Sequence, residues 1–165
     1  MKKRDLADDL RKERMFLDVL CRDYTSVYFF DLENDTLEIL KMDGNANAVA
    51  MVGSELRKTF DYSKEMARYC NIYVSEDNQE NFSKAMSREH IREELLKSDR
   101  FTYRYKSNPN LAGQCYFEAQ VIQIADELYE NTAILAFKHI DDIVAEEEKR
   151  REEIKLSLEI EERTK

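Results

Sequence analysis

Val27-Tyr28-Phe29-Phe30-Asp31-Leu32-Glu33-Asn34-Asp35-Thr36-Leu37-Glu38-Ile39-Leu40-Lys41-Met42 is the stretch that decides the fold. It opens on aromatic and β-branched residues, passes through the polar group Glu33-Asn34-Asp35, and resumes with an apolar-polar alternation from Thr36 to Met42. Two such runs around a turn-forming triplet predict a β-hairpin. Because successive strand side chains point to opposite faces, Tyr28, Phe30 and Leu32 share one face. Asp43-Gly44-Asn45 ends the hairpin.

Toward the C-terminus, the residues up to Val74 are helical in composition, with breaks near Gly53 and around Asp61. A longer helix is expected from an N-cap at Ser75 through Phe82, Met86, Ile91 and Leu95 to Leu96. Three further strands follow, Phe101 to Tyr105, Cys115 to Ile124 and Thr132 to Ile140, separated by Ser107-Asn108-Pro109-Asn110-Leu111-Ala112-Gly113 and by a second polar loop. Phe101, Tyr103 and Tyr105 fall on one face of their strand and Arg104 on the other. Strands grouped apart from helices, with hairpin connections, predict an α+β domain: a five-stranded antiparallel sheet covered on one face by helices, over residues 24–140.

Both ends carry a different pattern. In residues 1–23, Leu6, Leu10, Glu13, Leu17, Leu20 and Tyr24 recur at alternating spacings of 4 and 3, a heptad seam broken once at Glu13. Residues 141–165 hold 10 acidic and 6 basic residues, with Ile143, Val144, Ile154 and Leu158 as the spaced apolar positions and none at all between Glu146 and Glu153. Oppositely charged residues three and four apart support a solvated helix there. A lone helix of this kind is marginal in water, so each extension needs something to cover its stripe. A second copy of the chain would do so, Leu6, Leu10, Leu17 and Leu20 forming the dimer helix; packing back onto the chain's own sheet is the other outcome.

The 165 residues carry 26 Lys and Arg against 35 Asp and Glu, a net charge of −9. That sign speaks against a nucleic-acid partner, whose phosphates call for clustered cations. No apolar run approaches the roughly 20 residues that span a bilayer. No signal-peptide core follows Met1, and the 3 cysteines are an odd number in a Cys-poor chain, so a reducing, cytoplasmic setting without membrane contact is expected.

No catalytic constellation is expected. His90 and His139 are the only histidines, and neither stands beside a nucleophile motif. Asp31, Glu33 and Asp35 match the opening of a calcium loop, but Thr36 replaces its glycine and Met42 its closing glutamate, so these are hairpin-turn residues. Cys21, Cys70 and Cys115 lack metal-ligand spacing, leaving no metal site. The strand faces instead suggest an aromatic-lined interior with Tyr28, Phe30, Phe101, Tyr103 and Tyr105 as ligand-pocket candidates. A plain aromatic core is the alternative.

The layout resembles a PAS domain, a sensor module of bacterial signalling proteins. Tyr24-Thr25-Ser26-Val27-Tyr28-Phe29-Phe30-Asp31-Leu32-Glu33-Asn34-Asp35-Thr36 resembles the first hairpin of PAS domains that precede histidine kinase and diguanylate cyclase outputs. Val74-Ser75-Glu76-Asp77-Asn78-Gln79-Glu80-Asn81-Phe82 resembles the opening of their long helix. Phe137-Lys138-His139-Ile140-Asp141-Asp142-Ile143 resembles their signal-relay motif, although His139 stands where an aspartate is usual. The resemblance implies a sensory and dimerisation module that passes ligand or conformational state through His139, Ile140 and Asp141 into a C-terminal helix and on to an output domain in the parent chain. It leaves the cofactor unknown. Cys70 lacks the flavin-binding surroundings of light-sensing relatives, and His90, on the helix that carries the haem ligand in haem-binding relatives, reads as an exposed residue among charges. A small standalone α+β enzyme or ligand carrier, and a structural adaptor with a filled core, are the other classes the sequence leaves open.

Overall fold

In the computed structural model, which describes residues 2–164 and side chains from Asp5 onward, the hairpin is β1 (Ser26–Asp31) and β2 (Thr36–Met42). The outermost residues of the two expected terminal helices, Met1 and Lys165, lie outside the described residues. Asp31 builds the turn. Its carboxylate accepts from the backbone N–H of Glu33 at 3.1 Å and of Asn34 at 3.0 Å, and from the Asn34 side-chain amide at 2.8 Å. Burial alone would raise the Asp31 pKa, but these three donors hold it below the usual carboxylate value. Asp35 closes the turn at φ 58°, a left-handed conformation that Asp tolerates.

Helix α1 (Lys2–Leu20) precedes the hairpin; α2 (Val49–Val52), β3 (Thr59–Asp61), α3 (Tyr62–Tyr73), α4 (Glu76–Ala85), α5 (Arg88–Lys97), β4 (Arg100–Lys106), β5 (Tyr116–Gln123), β6 (Thr132–His139) and α6 (Asp141–Thr164) follow. The strands form one antiparallel sheet in the order β3-β2-β1-β6-β5-β4, so the fold is α+β. It has six strands where the sequence predicts five. The additional strand, β3, pairs Thr59, Phe60 and Asp61 with Glu38, Leu37 and Thr36. Three residues are too few for alternation to stand out in a sequence. The expected helix from Ser75 to Leu96 is also two helices. The chain leaves α4 at Met86, and the Ser87 hydroxyl accepts from the His90 backbone N–H at 3.2 Å, capping α5.

Strand register explains the core. Phe101, Val121, Leu135, Tyr28 and Ile39 lie in one row across β4, β5, β6, β1 and β2, all on the same face. Against that face α3, α4 and α5 lay Tyr62, Cys70, Phe82, Met86, Ile91 and Leu95. Phe30 stacks on Tyr62 with ring centroids 4.2 Å apart, and both rings are fully buried. The Tyr62 hydroxyl donates to the Met86 carbonyl at 2.5 Å, which satisfies the carbonyl exposed where α4 ends. Burying each such ring contributes about 1.5–3 kcal/mol. Between Val27 and Tyr28 the register slips by one residue, leaving Leu40 unpaired. This bulge keeps Met42 on the core face and turns Lys41 away from it, beside the root of α1.

The terminal helices belong to neither layer. No residue of α6 is buried, and among the described residues of α1 none is. No helix among the described residues is long and apolar enough to cross a membrane.

Candidate functional site

A cavity lies between the sheet end that carries Ser26 and Phe137 and a cover made of α2, its preceding loop and α3. About 50 Å³ of it can hold the centre of a water molecule, room for roughly four waters at about 10–15 Å³ each. The walls are mainly apolar, with Met51, Phe60, Met66, Phe117 and Phe137 among them. Their packing is set by edge-to-face contacts: Tyr28 meets Phe60 at 5.9 Å and Phe137 at 6.2 Å.

Few polar groups interrupt this lining. Thr25 is tied to β6, its Oγ1 donating to the Phe137 carbonyl at 3.1 Å. The Tyr69 hydroxyl is engaged with that of Tyr105 at 2.7 Å. Glu65 faces Arg68, with 2.7 Å between carboxylate and guanidinium. Two donors are poorly served. The Tyr28 hydroxyl has the Ser26 side chain beside it and the sulfur of Met42 at 4.0 Å, the latter a weak acceptor. Burial pushes the Tyr28 pKa up to about 12, so the phenol stays protonated at neutral pH. Asn47 Nδ2 is fully buried and makes no hydrogen bond among the described residues, the Tyr69 hydroxyl beside it being engaged with Tyr105. Leaving such a group unsatisfied costs about 1–3 kcal/mol, which a bound acceptor would recover.

Of the five sequence-derived pocket candidates, the structure places only Tyr28 in this cavity. Phe30 is occupied by its stack on Tyr62. Tyr105 is buried among Tyr69, Phe82 and Phe117, and burial raises its pKa well above the ordinary phenol value. Tyr103 is half-buried over Phe82, and Phe101 packs edge-on against the His90 ring at 5.3 Å. Asn47, Met51, Phe60 and Met66 were missed, because the segment after Gly44 has no periodicity that marks which residues turn inward. The other residues weighed for chemistry have structural surroundings. His90 Nδ1 lies 2.9 Å from the Ala85 carbonyl, and Cys70 is buried with its thiol 3.5 Å from Ser83 Oγ. A second, more open groove runs between α3 and α4 past Cys70, Ser83 and Arg88.

The two helix junctions flank the sheet's central strands. At the first, the Lys41 ammonium donates to the backbone carbonyls of Cys21 and, at 2.6 Å, of Tyr24, with the Arg22 carbonyl at 3.5 Å and the Asp43 carboxylate at 3.7 Å. A lysine thus caps the end of α1, where the unpaired carbonyls concentrate negative charge. At the second, His139 ends β6 opposite Phe117, and Ile140 is buried and donates its N–H to the Tyr116 carbonyl at 2.8 Å. Asp141 opens α6, and its carboxylate accepts from the backbone N–H groups of Cys115 at 3.0 Å and Tyr116 at 3.4 Å. Nearly two turns further along α6, Glu147 pairs with Arg104 of β4 at 3.0 Å, and Arg104 also meets Glu118 at 3.4 Å. Glu118 in turn meets Lys138 at 3.6 Å. The glutamate-rich stretch that interrupts the apolar spacing of α6 therefore supplies one of the contacts between this helix and the sheet.

Leu6, Leu10, Leu17 and Leu20 remain 56–74% exposed, so α1 does not pack back on its own sheet. Ile154, Leu156, Leu158 and Ile160 of α6 are exposed as well. No protein-family model matches the chain, and no curated protein matches it either.

Proposed function

We propose that the chain is a non-enzymatic sensory and dimerisation module of the PAS kind, which reports the state of its cavity through its terminal helices to an output domain of the histidine-kinase or diguanylate-cyclase type. One observation carries this reading. The leucine row of α1 keeps heptad spacing with one break, at Glu13, and lies in water, while the domain behind it has a core of its own. A second copy of the chain fits that row better than any surface of its own sheet, because two such helices bury each other's stripe as a coiled coil. The cavity supports the sensory half. Thr25 and Ser26 line it and lie next to the Lys41 clasp on α1; Phe137 lines it three residues before Ile140, at the root of α6. A shift of either strand end on ligand binding would reach a helix directly, through His139, Ile140 and Asp141 on one side.

Sedimentation velocity of the chain and of the double variant Leu10→Glu/Leu17→Glu tests the dimer. The parent should sediment at twice its 19.6 kDa mass and the variant at the monomer mass with an intact near-UV spectrum. A monomeric parent at tens of micromolar would overturn the reading.

A further inference from the structure

We propose that the cavity under α2 takes a small uncharged molecule bearing a carbonyl oxygen, which accepts from Asn47 Nδ2 while its apolar body lies against Met51, Phe60 and Phe137. This rests on the sensory reading above and specifies what would be sensed. The orphan group sets the polarity: Asn47 Nδ2 is a donor without a partner, so the ligand must present an acceptor. The Tyr28 hydroxyl, beside the Ser26 side chain and with a sulfur at 4.0 Å, is a second donor in the same lining, and a carbonyl oxygen has two lone pairs to share.

Charge is excluded from both directions. Among the described residues no Lys, Arg or His lines the cavity and Glu65 is its one carboxylate, so an anion would enter without a counter-charge and meet a like one. A cation would meet the amide donor of Asn47, and Glu65 already answers Arg68. The volume limits the ligand to a few non-hydrogen atoms, and the aromatic and methionine walls favour an alkyl body over a polyol. Short ketones, esters and tertiary amides meet all of these conditions.

Butanone serves as the probe, titrated into the isotopically labelled full chain and followed by amide chemical shifts. Saturable shifts in the millimolar range at Ser26, Asn47, Phe60 and Phe137 are expected. Asn47→Leu, close in shape but without the donor, should weaken binding tenfold or more while keeping the dispersion of the parent spectrum. Should that variant lose its dispersion, Asn47→Asp, which replaces the donor by an acceptor, must show the same weakening. Equal affinity in a folded variant overturns the assignment of the donor. Tighter binding of acetate or tetramethylammonium overturns the uncharged class and leaves the sensory reading standing. If none of the three probes moves these amides, the proposal fails and the ligand-sensing half of the function fails with it, whereas the sedimentation result stands apart.

Discussion

The sheet with its helical cover and the two terminal helices are made of the same residue types arranged to opposite ends. In the first, Phe30, Tyr62, Phe82, Ile91 and Leu135 are fully enclosed. In the second, leucines and isoleucines of equal hydrophobicity stand in water along α1 and α6. A domain that closes its own core needs no partner to fold, and a helix whose apolar row is left open does. The contrast separates stability, which the layers between Ser26 and Ile140 decide, from the proposed assembly, which would rest on the extensions.

Substitutions should therefore divide by region. Phe30→Ala removes one side of the Phe30–Tyr62 stack and should cost about 3–5 kcal/mol in denaturant unfolding, whereas Leu10→Glu should change the association state and leave the unfolding of the domain nearly unmoved. If the two variants destabilise the domain equally, the division is wrong.

Alkaline titration gives the next effect. Tyr28, Tyr62 and Tyr105 are buried and Tyr69 is half-buried, all as neutral phenols, and desolvation raises the pKa of each. A raised folded pKa adds stability that is complete below the unfolded value of about 10 and lost as pH climbs through the folded one. For Tyr28, with its pKa at about 12, that is roughly 3 kcal/mol surrendered between those limits. Absorbance of tyrosinate should show the buried group ionising only with loss of the fold. Ionisation of all nine tyrosines in one step near pH 10, with the fold intact, would contradict the packed interior.

The junctions come next in size. Asp141→Ala leaves the Cys115 and Tyr116 amides without their carboxylate, at about 1–3 kcal/mol, and should loosen α6 more than it destabilises the sheet, seen as faster amide exchange at the start of α6. Arg104→Ala removes a solvent-exposed ion pair with Glu147 and should cost less than about 1 kcal/mol, an effect that shrinks further in high salt.

How much of this was legible follows from the physics of each element. The hairpin could be read because alternation and the Asp31 turn are local signals. The terminal helices could be read because a row at heptad spacing survives without tertiary contacts. The junction at Ile140 and Asp141 was visible as the point where a strand pattern gives way to charge. By contrast, β3 exists only because Leu37 and its neighbours on β2 offer a free edge, and three residues carry no period. The break at Met86 and Ser87 did leave a signal, a capping serine with Glu89 in the first turn of α5; the apolar spacing through Met86 and Ile91 masked it. The cavity could not be read, since its deciding group, Asn47, sits in a segment without periodicity and matters only where the folded chain turns its amide into the cavity.

Amide hydrogen exchange of the full chain, followed as a function of protein concentration, tests the separation of the two regions most directly. The account predicts that amides of β1, β5 and β6 exchange at the same slow rate at every concentration, while those of α1 are protected at high concentration and lose that protection on dilution below the dimer dissociation constant. Protection of α1 that is independent of concentration, or absent throughout, would contradict it.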